Sequence, residues 1–173
     1  MALKAAVQEY ERPTEGDHLA QVVGVVDMGT QAYEYQGKQK SAYKVLFIYE
    51  LDTKMEDGTP FMLSREYNTI ADEKATLYKE LKTYFNKKMT IAEYQALSFK
   101  AFLGRCGTLD IEINEKNYPK IMAVTKTKET FEPVTELVYY ELEESPEPPE
   151  ITSNFTIEKI KGSPEYKKLY PSK

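Results

Sequence analysis

The chain has 173 residues, 41% of them hydrophobic and 12% aromatic, which suits one well-buried core rather than several domains. A single cysteine, Cys106, and a single histidine, His18, exclude an internal disulfide and a multi-cysteine zinc site. The net charge of −5 argues against a uniformly basic nucleic-acid coat, yet residues 132–150 hold seven glutamates and no basic side chain, while residues 1–131 are nearly balanced with 18 basic and 19 acidic ones.

Met1–Gly16 is a polar lead-in with Pro13 and Gly16. It lacks the apolar core of a signal peptide, and no run nears the roughly 20 apolar residues of a membrane span, so a soluble cytoplasmic protein is expected. His18–Met28 predicts a first strand, with Gly24 marking a bulge or sharp bend. Gly29–Ser41 predicts a polar connecting loop carrying Tyr33, Tyr35, Lys38 and Lys40. Ala42–Leu51 predicts a second strand, with Tyr43, Val45, Phe47, Tyr49 and Leu51 on one face and Lys44, Leu46, Ile48 and Glu50 on the other. The Asp57-Gly58 turn signal returns the chain into a third strand, Phe61–Asn68.

The period then changes. Thr69 to Asp72 resembles a helix start, and Leu77, Leu81, Tyr84 and Phe85 form one apolar stripe. Thr90 to Glu93 repeats the capping pattern, and a last turn over Ser98–Leu103 ends at Gly104. Arg105–Asn114 alternates Leu109, Ile111 and Ile113 with Asp110 and Glu112, a strand with one wet face. Tyr118–Thr127 predicts a fifth. The glutamate- and proline-rich stretch to Glu150 reads as extended, either a solvated linker or a partner-recruiting segment. Ile157–Leu169 predicts a short helix interrupted by Gly162 and Pro164. The expected division is a flexible arm over 1–17, a β-rich domain over 18–131, and the acidic extended segment with its short helix over 132–173.

Catalytic constellations are scarce. His18 has no partner by spacing, and Gly29 and Gly37 lie too far apart for a phosphate loop. Asp52, Glu56 and Asp57 surround a turn, where solvated acids are ordinary, and Asp27 alone makes no two-metal nuclease. Interleaved tyrosines and lysines suit single-stranded nucleic acid, rings stacking on bases while ammoniums meet phosphates. Plain sheet propensity enriches tyrosine equally well, so the faces of the second strand stay open between core and binding surface.

The run Gly24-Val25-Val26-Asp27-Met28-Gly29-Thr30-Gln31, with Lys44 to Leu51, resembles the phage-encoded single-stranded-DNA-binding proteins. Arg65-Glu66-Tyr67-Asn68-Thr69, Phe102-Leu103-Gly104-Arg105-Cys106 and Ile160 to Tyr166 resemble the same family. The chain departs from it in having no tryptophan and in carrying its acids internally. The resemblance implies an OB-fold, a mainly β, five-stranded, partly open Greek-key barrel with a helix between strands three and four. It implies DNA held by Tyr33, Tyr35, Lys38, Lys40, Tyr43, Lys44, Arg65 and Tyr67, with Gln31 shaping the loop and touching backbone or base. The expected function is non-catalytic, low-specificity binding of single-stranded DNA in phage replication or recombination, in the cytoplasm of a host bacterium. No catalytic residue, cofactor or metal is implied. Replication and recombination proteins are the expected partners, no membrane is involved, and oligomeric state is left open. The alternative is a protein-interaction module using the same β-barrel surface.

Overall fold

Two one-residue bulges shape the first strand and, through it, the sheet. The computed structural model describes Leu3 and residues 11–172. Strand β1 (Gly16–Tyr35) pairs antiparallel with β2 (Lys38–Lys54), and its register slips at Val23 and again at Met28. An extra residue bends a strand and tightens its twist, so one long strand can serve several neighbours. Gly24, beside the first bulge, lies so close to β2 that a Cβ there would stand 3.0 Å from the Ile48 side chain.

Strand β3 (Pro60–Asn68) pairs with β2, β4 (Cys106–Ile113) with the start of β1, and β5 (Pro119–Thr125) with β4. The path is β3-β2-β1-β4-β5, antiparallel throughout, and a sixth strand, β6 (Val138–Tyr140), joins β1 in parallel at Gly24–Val26. The protein is thus mainly antiparallel β, with β5 drawing near β3 without pairing to it.

The insertion between β3 and β4 starts later than the capping pattern at Thr69 predicts. Thr69 instead donates its hydroxyl to the Tyr43 carbonyl, Asp72 closes a turn, and α1 (Thr76–Lys79) begins seven residues on. The predicted stripe is split between α1 and α2 (Leu81–Phe85), with Leu77, Leu81 and Tyr84 buried. Thr90 does form a capping box with Glu93 at the head of α3 (Ile91–Ala96). A 3-10 turn, Phe99–Phe102, follows.

Both faces of the sheet are covered. On the inner face Phe47, Tyr49 and Leu51 pack with Leu77, Tyr84 and Phe102, and Phe47 is fully buried with its ring centroid 4.9 Å from that of Phe102. Burial of such a ring contributes roughly 2–3 kcal/mol. On the outer face Val26, Met28, Leu46 and Ile48 meet Tyr140, Leu142 and Ile160 from the chain's last third.

The acidic stretch is therefore no free tether. The buried Glu50 carboxylate accepts the backbone N–H groups of Val134 (2.8 Å) and Thr135 (2.7 Å), and Leu142 is buried. Beyond it the interrupted helix is two helices, α4 (Asn154–Lys161) and α5 (Pro164–Leu169), capped by the Ser153 and Ser163 hydroxyls. Among the described residues no helix is long and apolar enough to cross a membrane.

Candidate nucleic-acid interface

The residues Gly29–Ser41, expected as a loop, are the end of a two-stranded ribbon. Pairing of β1 with β2 continues from Gly29↔Lys44 to Tyr35↔Lys38, closed by Gln36 and Gly37 alone. Both turn residues have positive φ (51° and 75°), as a type I′ hairpin turn requires. Glutamine followed by glycine is a weaker turn signal than Asn-Gly or Asp-Gly, and the ribbon lacks the apolar alternation of a half-buried strand. The seven residues of each arm span about 20 Å.

Register decides the ribbon's chemistry. Cross-strand partners share a face and faces alternate along each strand, so Tyr33, Tyr35, Lys38, Lys40 and Lys44 all lie on one side. Thr30, Ala32, Glu34, Gln39, Ser41 and Tyr43 lie on the other. The first set continues the outer face of the sheet, at the point where cover by the C-terminal segment gives out. Tyr35 is 53% exposed, and Lys38 and Lys40 are exposed. The Lys40 ammonium stands 5.0 Å from the Tyr35 ring centre and that of Lys44 4.7 Å from Tyr33, both in the range of cation–π attraction. No described carboxylate lies within 4.0 Å of the Lys38, Lys40 or Lys44 ammonium.

Four residues expected to act with these are turned away from them or buried. Tyr67 is 2% exposed on the inner face, its hydroxyl 3.2 Å from that of Tyr49, which also donates or accepts at 2.6 Å with Tyr84. Burial, then the nearby Glu80 carboxylate, pushes the Tyr67 hydroxyl up to about 12. Arg65, two residues away on the same inner face, pairs with Glu80 at 3.3 Å. Burial raises the Glu80 carboxyl above the usual range, against the pull of Arg65. Tyr43 is partly exposed but faces away from Tyr33 and Tyr35 and donates to Asp27 at 2.7 Å. Gln31 shares the ribbon face at its root, yet it is buried and its amide donates to the carbonyls of Met28 and Lys159, both at 2.8 Å. The parity of β3 relative to β2 separates Arg65 and Tyr67 from the lysines, and parity follows from pairing register, which motif spacing does not contain.

The ribbon root is gripped by the C-terminal helices. Glu165 accepts the Thr30 N–H at 2.6 Å and the Thr30 hydroxyl at 2.7 Å. Burial would raise this carboxyl, but the two Thr30 bonds outweigh it and hold it below the usual range. Gly29 (φ 66°) lies so close to α5 that a Cβ would sit 2.6 Å from the Ser163 hydroxyl oxygen. Lys159 pairs with Glu66 of β3 at 2.8 Å. Sequence reasoning missed Glu165, since nothing local marks a residue whose partner lies 135 positions away.

Beside the ribbon root a cleft of about 920 Å³ opens between β1, β2, the 3-10 turn, β6 and α5. Its apolar lining includes Val25, Val45, Leu97 and Phe99, and Asp27, Glu141, Glu143 and Glu165 outnumber Lys44 and Lys168 on its walls. Asp27 accepts from the Gly29 and Leu142 N–H groups as well as from Tyr43, so both of its oxygens are engaged by the fold. His18 is likewise a structural residue, bonded to Thr53 and to the Thr14 carbonyl. No family model, no curated protein and no solved structure matches this chain.

Proposed function

We propose that this protein binds single-stranded DNA without catalysis, through the outer face of the β1–β2 ribbon. The observation that carries the reading is the convergence of Tyr33, Tyr35, Lys38, Lys40 and Lys44 on one face of an otherwise polar ribbon. Rings and ammoniums side by side are what a strand of stacked bases and phosphates requires, and base–ring stacking contributes roughly 1–3 kcal/mol per base. The lysines already resting on the tyrosine rings are poised to swing to phosphates as bases take their place. None of these contacts reads a base edge, so sequence preference is low.

An OB-fold reading is supported by the path β3-β2-β1-β4-β5, by the helical insertion between β3 and β4, and by the approach of β5 to β3. Together with the sequence resemblance, it favours a phage single-stranded-DNA-binding protein of replication or recombination. The contact surface would then be the hairpin that prolongs strands one and two, because α4, α5 and β6 cover the rest of the outer face. A second reading, a protein-interaction module, draws its support from the acid-walled cleft at the ribbon root.

Fluorescence anisotropy with labelled oligo-dT tests the first reading. Saturable, salt-sensitive binding at micromolar protein is expected. Unaltered anisotropy at low salt rejects it.

A further inference from the structure

Two surfaces of opposite sign face solvent on this chain, and among the described residues no ion pair within 4.0 Å engages the charged groups of either, although Lys44 and Lys168 stand on the cleft walls beside its four carboxylates. One is the ribbon tip, with Tyr35, Lys38 and Lys40. The other is the cleft, whose apolar floor includes Val45 and Phe99 and whose walls carry Glu141 and Glu143. Among the described residues none of the four cleft carboxylates lies within 4.0 Å of an ammonium or guanidinium. The field there is felt by Tyr43, whose hydroxyl is pushed far up by burial and then by Asp27, Glu165 and Glu141.

We infer that the cleft seats the ribbon tip of a second copy of this chain, ammoniums of Lys38 and Lys40 against Glu141 and Glu143 and the Tyr35 ring on the apolar floor. The match is one of charge and chemistry: an aromatic flanked by lysines complements an apolar floor walled by acids. Donor and acceptor surfaces differ, so the contact is head-to-tail. It uses ribbon residues that DNA would also use, so DNA and self-association compete. The contact rests on the chemistry of ribbon and cleft and does not require that the ribbon bind DNA.

Sedimentation velocity on the full chain across a concentration series, at low and high salt, tests this. Association that grows with concentration and weakens with salt is expected. Glu141→Lys with Glu143→Lys, and separately Lys38→Glu with Lys40→Glu, should each weaken it by about tenfold or more. All four side chains are exposed, and thermal melts verify that both variants fold. Mixing the two variants restores complementary pairs in both directions and should restore association. A monomer at every concentration in low salt overturns the proposal, as does association that neither charge reversal alters. Excess oligo-dT should return wild-type protein to single-copy complexes, while the cleft variant should bind oligo-dT with unchanged affinity. Loss of oligo-dT binding by wild type with self-association intact rejects the DNA reading and leaves this one standing.

Discussion

Glu165 and Thr30, 135 residues apart, are joined by two hydrogen bonds, from the Thr30 N–H at 2.6 Å and its hydroxyl at 2.7 Å. The pair ties the ribbon root to α5, so the ribbon's orientation is set by the far end of the chain. Glu165→Ala removes both bonds. Partial exposure limits the loss to about 1 kcal/mol of stability. Hydrogen exchange at Thr30–Tyr35 should accelerate while exchange in β4 and β5 stays unchanged. A carboxyl held low contributes stability above its unfolded pKa and loses it as pH falls through the lower folded value, so acidification should erase the difference between wild type and variant.

Tyr33→Ala and Tyr35→Ala should each weaken oligo-dT binding by roughly 5- to 150-fold, the equivalent of one lost stacked base, with the melting temperature nearly unchanged. Tyr67→Ala should do the reverse, costing about 3–5 kcal/mol of stability, because it empties a buried aromatic site and takes from the Tyr49 hydroxyl one of its two partners, leaving Tyr84. Titration and urea denaturation run side by side distinguish the two. Equal affinities for both ribbon variants and wild type would move the DNA contact off the ribbon.

The ribbon's three lysines fix the salt dependence. Single strands release about 0.7 counterion equivalents per neutralised phosphate, so the slope of log affinity against log salt should be about −2 if Lys38, Lys40 and Lys44 each meet one. Each single Lys→Gln change should reduce its magnitude by about 0.7. A Lys79→Gln control on the helical insertion should leave the slope as it was.

Glu50→Ala should cost about 2–3 kcal/mol by urea denaturation, since two backbone N–H groups lose a charged acceptor that is 1% exposed. It should also open the 134–142 stretch to limited proteolysis before the sheet unfolds. Cleavage there at the wild-type rate would mean that other contacts hold the acidic stretch to β1 and β2.

Much of the sheet was legible because its signals are local. Val25 and Val26, the β2 run from Val45 to Leu51, the Asp57-Gly58 turn and the alternation of Leu109 and Ile111 each mark a strand by side-chain type within a few residues. The Thr90–Glu93 capping box needs only four. The ribbon was not legible: its residues are polar on both faces, its turn is Gln36-Gly37, and in sequence it has the composition of a loop.

The amino-acid sequence by itself determined a mainly β chain with a helical insertion, an acidic late segment, and a store of tyrosines and lysines around residues 33–44, because composition and period act over short range. Only the tertiary structure decided which of those residues share a surface. Pairing register turned Tyr33, Tyr35, Lys38, Lys40 and Lys44 outward together and Arg65 and Tyr67 inward, since one step of register exchanges the faces of a strand. Long-range contacts decided the rest: Glu50 holding Val134 and Thr135, and Glu165 holding Thr30, convert an acidic tail into the cover of a sheet and leave the ribbon as its open edge.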